Sequence, residues 1–342
     1  MIRKALFLLL AAAEACCLCL FLSSPVQGGA QALAVNGQGE AACTVWGAAG
    51  AAALFSACAF SILTEKKDHT VFPAALCLTA AFSYVFARVF YCLVRPDRYF
   101  YGRDAAEALL MMLNVREGGF LYSGAAAGAA AACLTASLLS KRYSFSGLAE
   151  KLLCPFLFVT AVLFAAELYT SAGRGPAAGD GEAVFPFTVS GRFGKARYAV
   201  CLYECAIQLL MLIACLILRD RGKRALRAAV LLIAALRVPL ITLNTGDICT
   251  LGFLPFTGSG FVKTECALSG LVLLSGALRA SIRGKGKTAL LRFPLCAVFI
   301  ACGILCIWAM DKTGFSNLLL YILLTLSVIA AALCTLWKKS KK

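Results

Sequence analysis

Charged side chains inside apolar stretches are where chemistry is first sought, because an ionisable group in hydrocarbon is costly unless it is paired or hydrated. Five stand well inside such stretches: Glu14, Arg88, Glu167, Glu204 and Arg237. Glu150, Lys151, Lys263 and Glu265 lie nearer the ends, where side chains reach water. Arg237, in "AALRVPLITL", precedes Pro239, which frees a backbone carbonyl and kinks a helix. Glu204 follows Tyr203 in "YAVCLYECAIQLL", at a depth that suits pairing with Arg237 on the next stretch. Such a pair is either a structural ion pair or a fixed guanidinium beside a phosphate pocket, since arginine recognises phosphate through two parallel hydrogen bonds. Arg88, in "FARVFYCLVRPDRYF", either binds a headgroup or snorkels to the interface. Glu167 stands near the end of its stretch, where hydration alone would account for it, and Glu14 is either neutral or paired with another helix.

Other chemistries are disfavoured by residue type. The single histidine, His69, lies in a basic loop, so no reaction built on a histidine within the membrane is expected. Eighteen cysteines fall almost all inside the apolar stretches, where cysteine behaves as a small hydrophobe, and Cys249 is the one assigned to an outer loop. "CCLC" at 16–19 and the pairs Cys201/Cys205 and Cys302/Cys306 lack an accompanying histidine, so packing is the reading and neither a metal nor a cofactor is expected. The formal charge of +16 sits in short clusters flanking apolar stretches, which fits anionic lipid headgroups and not nucleic acid.

The elements that must hold these residues are membrane spans. An apolar share of 61% and a mean hydropathy of +0.84 are foreign to a soluble globule and indicate an all-α polytopic membrane protein. Ten stretches long enough to cross a bilayer run approximately over 5–22, 41–63, 71–94, 120–140, 148–171, 198–218, 225–243, 261–280, 289–310 and 316–337. Lys and Arg collect in "MIRK", "EKKDH", "KRYS", "RDRGKR", "RGKGK" and "KKSKK", which are the two termini and every second loop. The positive-inside rule then puts both termini in the cytoplasm. The first span also resembles a signal peptide, although its length favours retention. "DAAEALLMMLNV" reads as an interfacial helix within the outer segment near 95–119, and the Gly- and Pro-rich segment near 172–197 turns to an extended "FPFTVS". The fourth span, "FLYSGAAAGAAAACLTASLLS", is built of small residues that let helix backbones approach closely, so it is expected at the centre of the bundle. No repeat of two halves is visible, which disfavours a transporter.

The order of these signals resembles the prolipoprotein diacylglyceryl transferase family. An arginine at the outer end of a span is followed by aromatics ("FARVFY"), then "REGGFLYSGAAAG" stands where the family opens a helix with D-G-G-x-x-F-H-G-G. "KRYSFSGLAEKLLCPFLF" matches a basic loop and its span, "YAVCLYE" matches H-P-S-Q-L-Y-E, and "AALRVPLI" matches G-x-x-R-I-I-V-E. Trp46-Gly47 resembles the family's Tyr-Gly. The likeness covers about residues 41–281 as a seven-span core, with residues 1–40 an extra N-terminal helix and loop and 282–342 an extra hairpin.

The resemblance implies transfer of a diacylglyceryl group from phosphatidylglycerol to the cysteine of a lipoprotein signal peptide, at the outer face of a bacterial-type cytoplasmic membrane. On the matching positions, Arg237 stabilises the departing phosphate, with Glu204 and Tyr203 supporting it. Gly118 and Gly119 make the turn at the pocket mouth, and Arg88, Trp46, Ser123 and Glu167 are lipid-binding candidates. The chain departs from the family where Ser123 replaces the F-H-G-G histidine, "AAELY" replaces G-R-L-G-N-F, Tyr198 replaces the H-P-S-Q histidine and Ile241 replaces a glutamate. Serine does not take a thiol proton unaided at neutral pH. A divergent transferase and a catalytically inactive or repurposed lipid-binding protein on the same fold are therefore both expected readings.

Overall fold

The computed structural model describes residues 2–23, 32–35, 41–65, 70–94, 99–114, 120–140, 142–170, 175, 177–179, 184–190, 196–218, 223–243, 264–283, 290–313 and 318–336. Its long helices are α1 (Ile2–Leu22), α2 (Val45–Thr64), α3 (Val71–Val94), α5 (Tyr122–Leu139), α6 (Phe145–Ala166), α7 (Val200–Ile217), α8 (Lys223–Leu243), α9 (Thr264–Arg283), α10 (Arg292–Thr313) and α11 (Leu318–Leu336). These occupy the ten predicted spans. A short helix, α4 (Ala105–Leu113), lies where the interfacial helix is expected. Seven helices among the described residues are long and apolar enough to cross a bilayer, from Val45–Thr64 to Leu319–Leu336, and the protein is an all-α polytopic membrane protein.

Two small sheets interrupt the helical pattern. β1 (Ala32–Val35) pairs antiparallel with β2 (Ala41–Thr44), and β5 (Ala196–Tyr198) lies between β3 (Ala177–Gly179) and β4 (Thr188–Ser190). The second sheet contains the extended piece expected in "FPFTVS". The first corrects a boundary: a span over 41–63 includes residues that are strand, and the helix begins at Val45 because Thr44 accepts a hydrogen bond from Gly47 N and caps it. Apolar letters in a short run do not separate strand from helix, so hydropathy extends the span too far.

The chain forms two compact units, 1–223 and 224–342. In the first, one end is marked by Lys4 Nζ donating to the carbonyls of Leu63 (3.2 Å) and Glu65 (2.9 Å), and by Lys151 Nζ 2.7 Å from the Glu65 carboxylate. The Lys151 ammonium also lies over the rings of Phe72 and Tyr143. At the other end, Ser23, Thr44 and Trp46 join α1, α2 and α6 through side-chain hydrogen bonds. Between them Ala11, Cys58, Ile62, Phe72, Ala75, Leu76, Cys133 and Leu148 form an apolar cluster drawn from α1, α2, α3, α5 and α6. The second unit packs Leu231, Ala235 and Val238 of α8 and Leu273 and Ala277 of α9 against Cys296, Met310, Leu324 and Val328 of α10 and α11.

The contact of α5 with α3 is made backbone to backbone. A Cβ built on Gly124 would lie 2.6 Å from the Phe86 carbonyl oxygen and 2.8 Å from Ala87 Cα, and one on Gly128 would meet the Phe82 carbonyl and Ser83 Cα. Lipid tails are as apolar as side chains, so helix association in a membrane depends on such close approach. Gly124→Ala and Gly128→Ala should each destabilise the protein by about 1–3 kcal/mol through overpacking. Thermal unfolding in detergent measures this, with the exposed Ala130→Val on the same helix as a control that changes little.

Candidate functional site

Arg88 organises the segment between α3 and α5. Its side chain is 4% exposed, and all of its nitrogens are engaged. Nε donates to the Met112 carbonyl (3.1 Å), Nη2 to those of Met111 (3.2 Å) and Asn114 (2.9 Å), and Nη1 to the Tyr99 hydroxyl (3.3 Å). The guanidinium also lies 5.1 Å from the Tyr99 ring centre and 5.9 Å from that of Tyr91. A helix leaves its last carbonyls without intrahelical partners and carries partial negative charge there. Arg88 supplies both the donors and the charge at the end of α4, while Asp104 caps its start by accepting from Glu107 N at 2.7 Å. Arg88 is thus buried in protein and not snorkelled, with its fork turned to backbone carbonyls.

The first turn of α5 follows. Leu121 N donates to the Ala87 carbonyl at 3.1 Å, next to Arg88 on α3. Gly118 and Gly119 lie outside the described residues, as do His69 and Cys249. Ser123, at the second position of α5, is half-buried. Its neighbour Tyr122 packs its ring against Phe156 and Phe164 of α6 and reaches Gln208 of α7, whose Nε2 donates to the phenol oxygen at 3.2 Å. Thr160 of α6 donates to Gln208 Oε1 at 3.4 Å. Gln208 is fully buried, so one amide ties three helices together deep in the bundle.

Glu204 lies one helical turn before Gln208 on α7 and is 4% exposed, so the two project from the same inward face. Tyr203 does something different. Its hydroxyl donates to the Phe187 carbonyl at 2.7 Å, and Ala199 N donates to the same oxygen, fastening the strand segment to the start of α7. Trp46 is buried and its Nε1 donates to the Leu163 carbonyl at 3.1 Å, joining α2 to the end of α6. Glu167 is half-buried in the 3-10 turn that follows α6, where its backbone carbonyl accepts from the Thr170 amide and hydroxyl. Trp46, Arg88, Ser123, Glu167, Tyr203 and Glu204 thus lie in the half of the first unit away from Lys4 and Glu65, each with its own partners.

Arg237 belongs to the second unit. It lies on α8 and is 6% exposed, two residues before Pro239, whose carbonyl accepts from the Thr242 hydroxyl at 2.6 Å. The pairing of Arg237 with Glu204 expected from the sequence concerns residues of two different compact units.

With these positions established, comparison with known proteins is decisive for the family. The family model for prolipoprotein diacylglyceryl transferase matches residues 35–273, more than half of the 342 residues. The chain belongs to the prolipoprotein diacylglyceryl transferase family. No curated protein and no solved structure matches it significantly. The matched residues of this diacylglyceryl transferase relative run from β1 into α9, with α1 before them and α10 and α11 after them.

Sequence reading of this transferase family member missed Tyr122, Thr160 and Gln208. The available signal was a glutamine inside an apolar span four residues after a glutamate, which places two polar groups on one helix face. Hydroxyls and amides carry no charge to single them out. Gln208→Leu and Tyr122→Phe should each lower the detergent unfolding temperature, and a double-mutant cycle should return a coupling on the order of 0.6 kcal/mol, as is usual for hydrogen bonds between membrane helices. Arg88→Ala removes charged donors from three carbonyls and should cost about 3 kcal/mol or more. Faster proteolysis between residues 99 and 121 would report it, with Arg88→Lys in between because lysine lacks the planar fork.

Proposed function

We propose that this protein is a divergent phosphatidylglycerol-prolipoprotein diacylglyceryl transferase, acting on membrane phospholipid and a lipoprotein signal-sequence cysteine. The observation that carries the reading is the family match over residues 35–273, together with the burial within helices of two ionisable residues on its motifs, Glu204 and Arg237. An apolar-membrane protein keeps such groups where they are hydrated, paired or used.

In the proposed reaction the thiol of the incoming cysteine loses its proton and its sulfur attacks the glycerol carbon that bears the phosphate. The carbon–oxygen bond breaks, a thioether forms, and glycerol phosphate leaves with the bond electrons. The nucleophile comes from the substrate, so the protein's tasks are orientation and stabilisation of the phosphate as it departs. On the family positions Arg237 is assigned the phosphate, with Glu204 in support, and the thiol proton is carried away on the departing glycerol phosphate. Trp46, Tyr203, Ser123, Gly118, Gly119 and Glu167 are assigned to the lipid-binding surroundings. Arg88 serves that surface by holding the end of α4 in place, as its carbonyl contacts support. The extra helices outside the matched residues are read as additions to the family core, with 41–281 as that core. The membrane is read as a bacterial cytoplasmic membrane with both termini inside, on the strength of the alternating basic loops.

A second reading, a lipid-binding protein that has lost catalysis, is favoured by Ser123 at the family's histidine position and by the engagement of the Arg88 guanidinium with backbone. Expression in a bacterium depleted of its own transferase separates the two. Recovery of lipoprotein modification, seen as a mobility shift, is expected for the transferase. Arg237→Ala should then reduce turnover by about 10²–10³-fold, in the range for loss of one transition-state donor. Correct membrane insertion without any modified lipoprotein would establish the second reading instead.

A further inference from the structure

Two thiols that are 24 residues apart in sequence meet in the first unit. Cys19 Sγ, three residues from the end of α1, lies 3.6 Å from Cys43 Sγ on β2. Both side chains are half-buried, so neither is sealed in the core. We propose that Cys19 and Cys43 form a disulfide that staples α1 to the start of the family core.

The backbone around the pair is already fastened. Ser23, one turn beyond Cys19, donates its N–H to the Cys19 carbonyl at 3.0 Å and accepts from Thr44 N at 2.9 Å through its hydroxyl. Thr44, next to Cys43, caps α2. Gly47 follows where a Cβ would run into the Cys19 carbonyl at 2.7 Å and the Ser23 hydroxyl, so the start of α2 is pressed against the end of α1 at this level. Cys43 itself is held in the β ladder opposite Ala34. The two sulfurs need to approach by only about 1.5 Å to reach the bonded separation of about 2.05 Å.

Location supplies the chemistry. The pair lies at the end of the unit opposite Lys4, Glu65 and Lys151, which the orientation under Proposed function puts outside the cell, and the inference rests on that orientation. Disulfides persist in the extracytoplasmic compartment and are rare in the cytosol. The oxidant is an external disulfide, either a thiol oxidoreductase or a small disulfide. One cysteine, as thiolate, attacks a sulfur of that disulfide and releases one thiol. The second cysteine then attacks the mixed disulfide and releases the other, so two thiols are oxidised, one external disulfide is reduced, and two protons pass to the departing thiolates. Cys19 precedes the matched residues 35–273 and Cys43 lies within them, so the bond would join the additional helix covalently to the transferase core.

The test uses the full chain in bacterial membranes. Cells are quenched in acid, free thiols are blocked with N-ethylmaleimide under denaturing conditions, and the protein is cut after glutamate. Cleavage at Glu14 and Glu40 separates a fragment 15–40 holding Cys16, Cys17 and Cys19 from a fragment 41–65 holding Cys43 and Cys58. The expected result is that the two fragments remain linked until reduction. Cys19→Ser or Cys43→Ser abolishes the link, whereas Cys16→Ser, Cys17→Ser and Cys58→Ser leave it. Unlinked fragments carrying maleimide at both Cys19 and Cys43 would overturn the proposal. Adding oxidised glutathione to opened membranes then shows which premise failed: linkage appearing only there means that the pair faces the reducing side, and no linkage means that the thiols do not meet. Lipoprotein modification does not enter this readout, so loss of the transferase reading and loss of the staple remain distinct results.

Discussion

The contact of α5 with α3, with nothing but glycine between their backbones, is what the first unit is built around. Gly124 and Gly128 bring the helix against residues 82–87, and at that separation Leu121 N reaches the Ala87 carbonyl. A Cβ at Gly124 would push α5 outward by the width of a methyl group and break that bond. The position of Tyr122, and through it the reach to Gln208 on α7, follows from the same approach. In a bilayer there is no general apolar drive to restore such a contact once it loosens, because lipid solvates an apolar helix as well as another helix does.

Polar groups then decide how the ends are arranged. Each backbone carbonyl and amide without an intrahelical partner must find one, since a membrane offers no water in its core. Arg88 meets this demand for the end of α4, Thr44 and Ser23 for the junction of α1 and α2, and Tyr203 for the strand segment before α7. Trp46 does likewise by joining α2 to the end of α6. Trp46, Arg88 and Tyr203, three of the motif residues of the first unit, are therefore also its fastenings.

The resemblance to the transferase family was legible because it rests on order and spacing along the chain, and the match over residues 35–273 shares that basis. The candidate site was legible only in part. Charge drew notice to Glu204 and Arg237, and both are buried. The same criterion passed over Gln208 and Thr160, which look like ordinary polar residues until three helices are seen to converge on them. Cys43 was absorbed into a span because its neighbours are apolar, and only the strand pairing of 41–44 takes it out of the helix and sets it beside Cys19.

Sequence alone determined the class of protein, the ten long helices among the described residues to within a few residues, the presence of a short helix over Ala105–Leu113 and the family, because hydropathy, small-residue content and motif order are local properties of the chain. Tertiary structure decided what Arg88 grips, which helices Gln208 joins and which cysteines meet. Those outcomes depend on directions in space: an arginine at the end of a span has a headgroup and a helix terminus both within reach, and the choice between them is made by where α4 comes to rest.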